Sequence, residues 1–264
     1  MDRVKTDKPL VQIENLLERY QPEFSELGNT PVADLFNQLQ EIISSSNTLI
    51  LKKIDDLLSL SFFVDDYQRG YKWLPLQVEA LLNDIHDFDP QADSFYCLQP
   101  VVVKHHSPEN TGERGRWELI DGQQRITTTF MILSYLGWKK YPIDYKTRAS
   151  SGAFLQHYLE RINPEEDWDS FLSRHNDSGE LTAADLDNVD NYHFYIAYCT
   201  IARWFSDTQR FPDGQARKRW HDKLLYHTQV IWYAAKENES LLDKEQSINI
   251  FMCINSGKIP LTNA

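Results

Sequence analysis

The segment ELIDGQQRITTTFMIL, Glu118 to Leu133, joins two apolar stretches through five residues that neither a buried strand nor a buried helix requires. The apolar residues before Asp121 predict a strand. The ITTTFMIL stretch, with Gly137 near its end, predicts a helix in which tertiary packing must override weak helix propensities. DGQQR therefore forms a strand–turn–helix junction, in which Gly122 permits a sharp turn and a close backbone approach.

The residues of this junction suit a phosphate-bearing ligand. The first N–H groups of a helix lack intrahelical partners and attract anions, and Arg125 adds a planar, permanently charged group. Asp121 is a candidate to hold Mg²⁺ or to orient a water molecule. Further candidate donors are Gln123, Gln124, Thr127 and Thr128. The alternative is a simple capped helix start, with Asp121 as the N-cap and Arg125 in a surface ion pair.

Two other polar segments also follow apolar runs. DDYQRGYKW contains Tyr67, Gln68 and Arg69, which predict a nucleotide pocket with an arginine on phosphate and an aromatic ring near a base. INSGK contains Asn255 and Lys258, which could complete a polyanion site. Each segment taken alone fits an ordinary turn better than a ligand site. Because ligands of α/β folds collect at strand ends, we predict that all three segments converge on one pocket.

Composition narrows the class of protein. The 264 residues are 41% hydrophobic and 12% aromatic, which is enough for a packed core. The formal net charge of −12 argues against a bulk nucleic-acid-binding module, since such binding relies on Lys and Arg. The three cysteines are widely spaced and show no zinc or disulfide pattern. No apolar leader and no run of about 18 apolar residues occurs, which predicts a soluble cytoplasmic protein without a membrane partner.

Hydrophobic periodicity predicts an α/β (α+β) fold, with a small sheet and flanking helices followed by a mostly helical second part. Helices are predicted for VADLFNQLQEII, LILKKIDDLLSL, LPLQVEALLNDIHDF, DNYHFYIAYCTIARWFSD and QARKRWHDKLLYH, and strands for FFV, FYCLQPVVVKHH, WELI and TQVIWYAAKE. The predicted organisation is an N-terminal helical segment (1–48), a nucleotide-binding core (49–145) and a mainly helical region (146–264) that returns to the site. The turn-rich end after an apolar run suggests a further C-terminal domain.

Three segments in chain order resemble the N-terminal domain family of GmrSD-type modification-dependent restriction enzymes, which occur in bacterial anti-phage proteins. They are FFVDDYQRGYKWLPLQVEALLNDI, ELIDGQQRITTTFMIL and INIFMCINSGKIPLTNA. The likeness covers about residues 50 to 140 and 245 to 264, and the pairing of YQR with DGQQR is its most specific feature. It implies a core similar to the ParB/sulfiredoxin fold, with nucleoside-triphosphate (NTP) binding and hydrolysis at DGQQR that control a nuclease.

The resemblance also implies roles for individual residues. Asp121, Gln124 and Arg125 would be catalytic, and Asp121 would hold Mg²⁺ with GTP, ATP or CTP. The resemblance assigns Gln68, Arg69, Gly122, Gln123 and Asn255 to nucleotide binding, and the chemistry of the residues adds Tyr67, Thr127, Thr128 and Lys258 as candidates. The nuclease of this family usually lies in a separate HNH-type domain, so DNA would be contacted through another domain or chain. Homo-oligomerisation stays open, as do two alternatives: a non-catalytic module that recognises modified DNA, and a DNA nuclease in its own right.

Overall fold

A computed structural model describes residues 49–90, 94–106, 115–175 and 181–235. In these parts of the chain, one mixed sheet has the strand order β1-β6-β3-β4-β2-β5. The strands are β1 (Leu49–Lys53), β2 (Phe62–Val64), β3 (Tyr96–His106), β4 (Arg116–Asp121), β5 (Ile143–Tyr145) and β6 (Thr228–Ala235). The β1–β6 and β3–β4 pairs are antiparallel, and the other three pairs are parallel. The predicted mixed α/β fold is confirmed, and its likeness to the ParB/sulfiredoxin fold stays a prediction.

The helices share one hydrophobic core with one face of the sheet. They are α1 (Ile54–Leu57), α2 (Pro75–Asp87), α3 (Gln123–Tyr135), α4 (Ser151–Ala153), α5 (Trp168–His175), α6 (Ala183–Leu186), α7 (Val189–Phe205) and α8 (Gly214–Tyr226). A π-helical turn (Phe154–Tyr158) and a 3₁₀ turn (Leu159–Arg161) continue α4. Alternate strand residues such as Phe62 and Val64, or Val101 and Val103, are buried in this core, as the twofold period of a strand requires.

Helices α2 and α3 show how packing decides local structure. Helix α2 has Pro75 in its first turn and buries Val78, Leu81, Leu82 and Ile85, the face that its periodicity predicts. Helix α3 is buried on nearly all sides, from Ile126 through Ser134. Each fully buried large apolar side chain contributes about 1.5–3 kcal/mol, which outweighs the few tenths that a β-branched residue costs in a helix.

Two predicted elements differ from the structure. LILKKIDDLLSL was expected to be a helix, but its first five residues form β1, and only α1 is helical. The strand forms because Leu49–Lys53 pairs with β6, an element far away in the chain that local periodicity does not reveal. Helix α3 begins at Gln123 rather than Ile126, so QQR forms its first turn.

The sheet also bears on the predicted division of the chain. Strand β6 comes from the region after residue 145, and it lies between β1 and β3 of the core. The boundaries at residues 48 and 145 stay predictions. The helical segment predicted for 1–48 lies outside the described residues.

No helix in the described part of the chain has the length and apolar character needed to cross a bilayer.

Candidate functional site

The DGQQR turn is built around Gly122, which is the N-cap of α3 and has φ +87°. A Cβ at this position would lie 3.0 Å from Val101 Cγ2 and 3.3 Å from the Pro100 carbonyl oxygen, so both the backbone angle and the close packing favour glycine. The alternative in which Asp121 caps the helix is wrong, because Asp121 is the last residue of β4. Gly122 has no side chain with which to cap the first N–H groups of α3.

YQR and DGQQR line one cleft, with a volume of about 420 Å³. Its lining residues are Tyr67, Gln68, Arg69 and Trp73, together with residues 120–125. This volume lies within the range of small-molecule sites. The structure thus brings together two of the three segments predicted to converge. Asn255 and Lys258, of the third segment, lie outside the described residues.

The two glutamines of DGQQR hold the YQR segment, residues 67–73, against α3. Gln124 Oε1 accepts hydrogen bonds from the backbone N–H groups of Lys72 (2.8 Å) and Trp73 (3.2 Å), and its Nε2 donates to the Gly70 carbonyl (3.1 Å). Gln123 Nε2 donates to the Arg69 carbonyl (2.7 Å). Both side chains are buried. The geometry therefore gives Gln124, predicted to be catalytic, a positioning role through these three backbone bonds.

Thr127 and Thr128 lie in the core rather than in the cleft, and both are fully buried. Thr127 Oγ1 is 2.7 Å from Tyr145 Oη. Thr128 Oγ1 donates to the Gln124 carbonyl (2.8 Å), so Tyr71 Oη, at 2.8 Å, is the donor in its bond with Thr128. This placement corrects the prediction that the two hydroxyls contact a ligand. They lie on the face of α3 that packs against the tyrosines, and they satisfy buried polar groups.

Arg125 is anchored without losing its charge. Its Nη1 donates to Gln99 Oε1 (2.8 Å) and its Nη2 to the Pro100 carbonyl (2.7 Å), and both acceptors are neutral. Burial lowers the pKa of the guanidinium, and nearby Asp121 acts in the opposite direction. Because arginine titrates far above neutral pH, the group stays a cation. Arg125 Nε is buried and has no hydrogen-bond partner.

Tyr67 stands at the mouth of the cleft, supported by a residue that the sequence did not single out. Its hydroxyl donates to Glu118 Oε1, and Glu118 Oε2 lies 2.7 Å from His106 Nε2. Glu118 is buried, whereas 68% of Tyr67 is exposed. A glutamate within the apolar strand WELI is a signal that could have indicated a buried polar partner. Gln68 Nε2 donates weakly to Tyr67 Oη (3.4 Å), and Gln68 Oε1 is buried without a partner.

Gly70, next to YQR, packs directly on Asp190 at the start of α7. An added Cβ would lie 1.8 Å from Asp190 Oδ1, and Asp190 is itself held by Thr147 and Ser151 through Oδ2. We therefore expect Gly70→Ala to destabilise the protein by about 2–3 kcal/mol, because the clash is buried. The measurement is urea unfolding followed by circular dichroism.

Two comparisons test the cause of that loss. Gly214→Ala is the matched control, since nothing lies within 4 Å of its added Cβ, and it should leave stability unchanged or raise it slightly. In an Asp190→Ala background, Gly70→Ala should cost less than half as much as in the wild type. Equal costs in the two backgrounds would contradict the Gly70–Asp190 contact as the cause.

A known protein family matches this chain. The sequence model of the family described as "GmrSD restriction endonuclease, N-terminal domain" matches residues 46–264, which include YQR, DGQQR and INSGK. No match was found among curated proteins. The match covers most of the chain, and proteins with this domain are components of restriction systems. The chain therefore belongs to the GmrSD restriction endonuclease N-terminal domain family.

Proposed function

We propose that this domain binds and hydrolyses a nucleoside triphosphate, and that this controls DNA cleavage by a nuclease in a separate domain or chain. The supporting observation is the cleft where the start of α3 meets Arg69 and Arg125. Two buried polar atoms of its lining, Gln68 Oε1 and Arg125 Nε, have no protein partner. Unpaired buried polar groups are costly, and a polar ligand in the cleft would satisfy them.

The phosphates would lie at the start of α3. The free N–H groups and the dipole of this 13-residue helix favour an anion there. Among the charged residues that line the cleft are two arginines and one aspartate, so the lining is locally positive although the chain carries a net charge of −12. This contrast supports a small polyanion rather than a long nucleic acid as the occupant of the cleft.

The base would lie against the aromatic residues of the YQR segment. Tyr67 is largely exposed at the mouth of the cleft, and Trp73 is half-buried in its wall. Stacking of a base on an aromatic ring contributes about 1–3 kcal/mol and tolerates different bases. Neither ring by itself selects among GTP, ATP and CTP.

The same residues fit hydrolysis of the bound nucleotide. Magnesium is commonly held by one or two carboxylates together with the phosphates, so the single carboxylate of Asp121 suits an ion that arrives with the nucleotide. The described residues contain no group of three His, Cys, Asp or Glu side chains that would hold a metal alone. Bound Mg²⁺ would neutralise phosphate charge. Arg125 would stabilise the charge that develops on the transferring phosphoryl group, and the start of α3 would orient it.

Binding and hydrolysis can be measured directly. We expect isothermal titration to show binding of at least one of GTP, ATP and CTP in the presence of Mg²⁺, and a colorimetric assay to show phosphate release from it. Asp121→Asn keeps the size of the side chain but weakens its interaction with the ion, and it should lower turnover by about 100-fold. Its circular dichroism and melting temperature serve as the control for folding. Absence of binding by all three nucleotides, or full turnover by Asp121→Asn, would refute the proposal.

A second candidate is a non-catalytic module that recognises modified DNA. The exposed Tyr67 and Arg69 at the mouth of the cleft favour it, since an aromatic ring and a guanidinium can also contact a base and a backbone phosphate. Titration with modified and unmodified duplexes separates the two candidates. Binding of modified DNA without any nucleotide signal would support the second.

A further inference from the structure

Strand β3 contains a bulge just before it reaches the DGQQR turn. Its register with β6 shifts between Cys97 and Pro100. Within this bulge, Gln99 has φ +62°, and it is the only described residue other than glycine with a positive φ. This conformation costs free energy for any residue with a Cβ. Such strained residues persist only where the surrounding structure holds them in place, and they cluster at functional sites.

The bulge directs two oxygen atoms at one guanidinium. Gln99 Oε1 and the Pro100 carbonyl accept from Arg125 Nη1 and Nη2 at 2.8 and 2.7 Å, respectively. The Pro100 carbonyl also lies against Gly122. The bulge thus contacts both the turn and the arginine of the cleft, and the orientation of the guanidinium is set by two bonds rather than one.

The residue type at position 99 indicates that the bulge is more than a simple irregularity of the strand. A glycine would adopt φ +62° without strain, so the backbone alone does not call for glutamine. Gln99 is exposed, so its side chain does not fill the core. Its described side-chain contact is the bond to Arg125. A carboxylate in its place would hold the guanidinium more tightly but would cancel the charge that an anionic ligand needs.

We propose that Gln99 is a positioning residue of the cleft: from its strained bulge it fixes the guanidinium of Arg125 through a neutral acceptor and leaves the positive charge of the guanidinium for the ligand. The inference rests on the proposed function for its effect on turnover. The orientation of Arg125 itself can be tested without any nucleotide.

The first measurement is NMR of the Arg125 Nε–H group in the protein without nucleotide, with the signal assigned by its loss in Arg125→Lys. Gln99→Met keeps the length of the side chain and the strained backbone but lacks an acceptor. We expect its Arg125 signal to shift and its N–H to exchange with water at least about 10-fold faster, because a hydrogen-bonded anchor has been removed. Gln99→Glu retains an acceptor oxygen and should keep the slow exchange.

The second measurement is NTP turnover by Gln99→Met and Gln99→Gly. Both variants lack the acceptor, but only glycine relieves the backbone strain, so Gln99→Gly should be the more stable of the two. We expect kcat to fall roughly 10-fold in both variants, while KM changes less, because a misplaced catalytic group mainly affects the transition state. If Gln99 had only a structural role, activity would follow stability.

The outcomes are separable. An unchanged Arg125 signal in Gln99→Met would overturn the inference, and so would an altered signal accompanied by wild-type kcat in both variants. Failure of the wild-type protein to bind or hydrolyse any nucleotide would instead refute the proposed function. In that case the NMR comparison would still decide whether Gln99 holds Arg125.

Discussion

Replacing Arg125 with alanine is expected to lower NTP hydrolysis by at least about 100-fold, the loss typical when one group that stabilises a transition state is removed. The guanidinium is a cation held at the first turn of α3 by two neutral acceptors, so its charge remains available to a phosphate. The assay is phosphate release at saturating nucleotide, together with the dissociation constant from titration. The two lost hydrogen bonds are worth about 1 kcal/mol each, so the fold should survive.

Two control variants make this result specific. Arg125→Lys keeps the charge but loses the planar fork, and it should retain only part of the activity. Arg174→Ala also removes an arginine that holds an acceptor pair, in this case Glu166 and the Arg161 carbonyl, but Arg174 does not line the cleft. It should hydrolyse nucleotide as the wild type does. Equal turnover by Arg125→Ala and Arg174→Ala would exclude Arg125 from the chemistry.

Gln124→Leu is expected to destabilise the protein by about 3 kcal/mol and to weaken nucleotide binding at least 10-fold. Leucine has a similar volume but leaves the N–H groups of Lys72 and Trp73 and the Gly70 carbonyl without their partner. Unpaired buried groups cost about 1–3 kcal/mol each, and partial access to water reduces the sum. Binding should weaken because the amide holds residues 70–73, which directly follow YQR, against the start of α3, so its loss allows the two walls of the cleft to separate.

Gln77→Leu is the matched control for this substitution. Gln77 Oε1 also accepts a backbone hydrogen bond, from the Leu74 N–H at 3.0 Å, but the residue is exposed. The same change there should cost less than about 1 kcal/mol, since water replaces the lost partner. Urea unfolding measures stability, and titration below the melting transition measures binding. If Gln124→Leu costs no more than Gln77→Leu, the three backbone bonds do not hold the YQR segment.

Much of the local structure of this protein could be predicted from the sequence alone. The face of α2, from Val78 to Ile85, follows from a period that any amphipathic helix shows. The junction at Gly122 follows from the few conformations that connect a strand to a helix, and the pairing of two polar segments in one cleft follows from where strands end in an α/β sheet. Such features depend on neighbours in the chain or on general rules of packing.

Other features depended on partners far away in the chain. LILKK forms a strand because it pairs with β6. The hydroxyls of Thr127 and Thr128 lie in the core, where they form hydrogen bonds with Tyr145 and Tyr71. No local pattern marks Asp190 as the residue that excludes a side chain at position 70.

Within DGQQR, some features are set by the local sequence and others by residues that are distant in the chain. Its amino acids determined a turn at glycine, a helix start open to anions and a fixed positive charge, because these properties belong to the residues themselves. Only the tertiary structure decided that the glutamines bind the YQR backbone, that the threonines face the core and that Gln99 holds the arginine. The physical reason is that a polar side chain can satisfy its hydrogen bonds in several ways, and packing selects one of them.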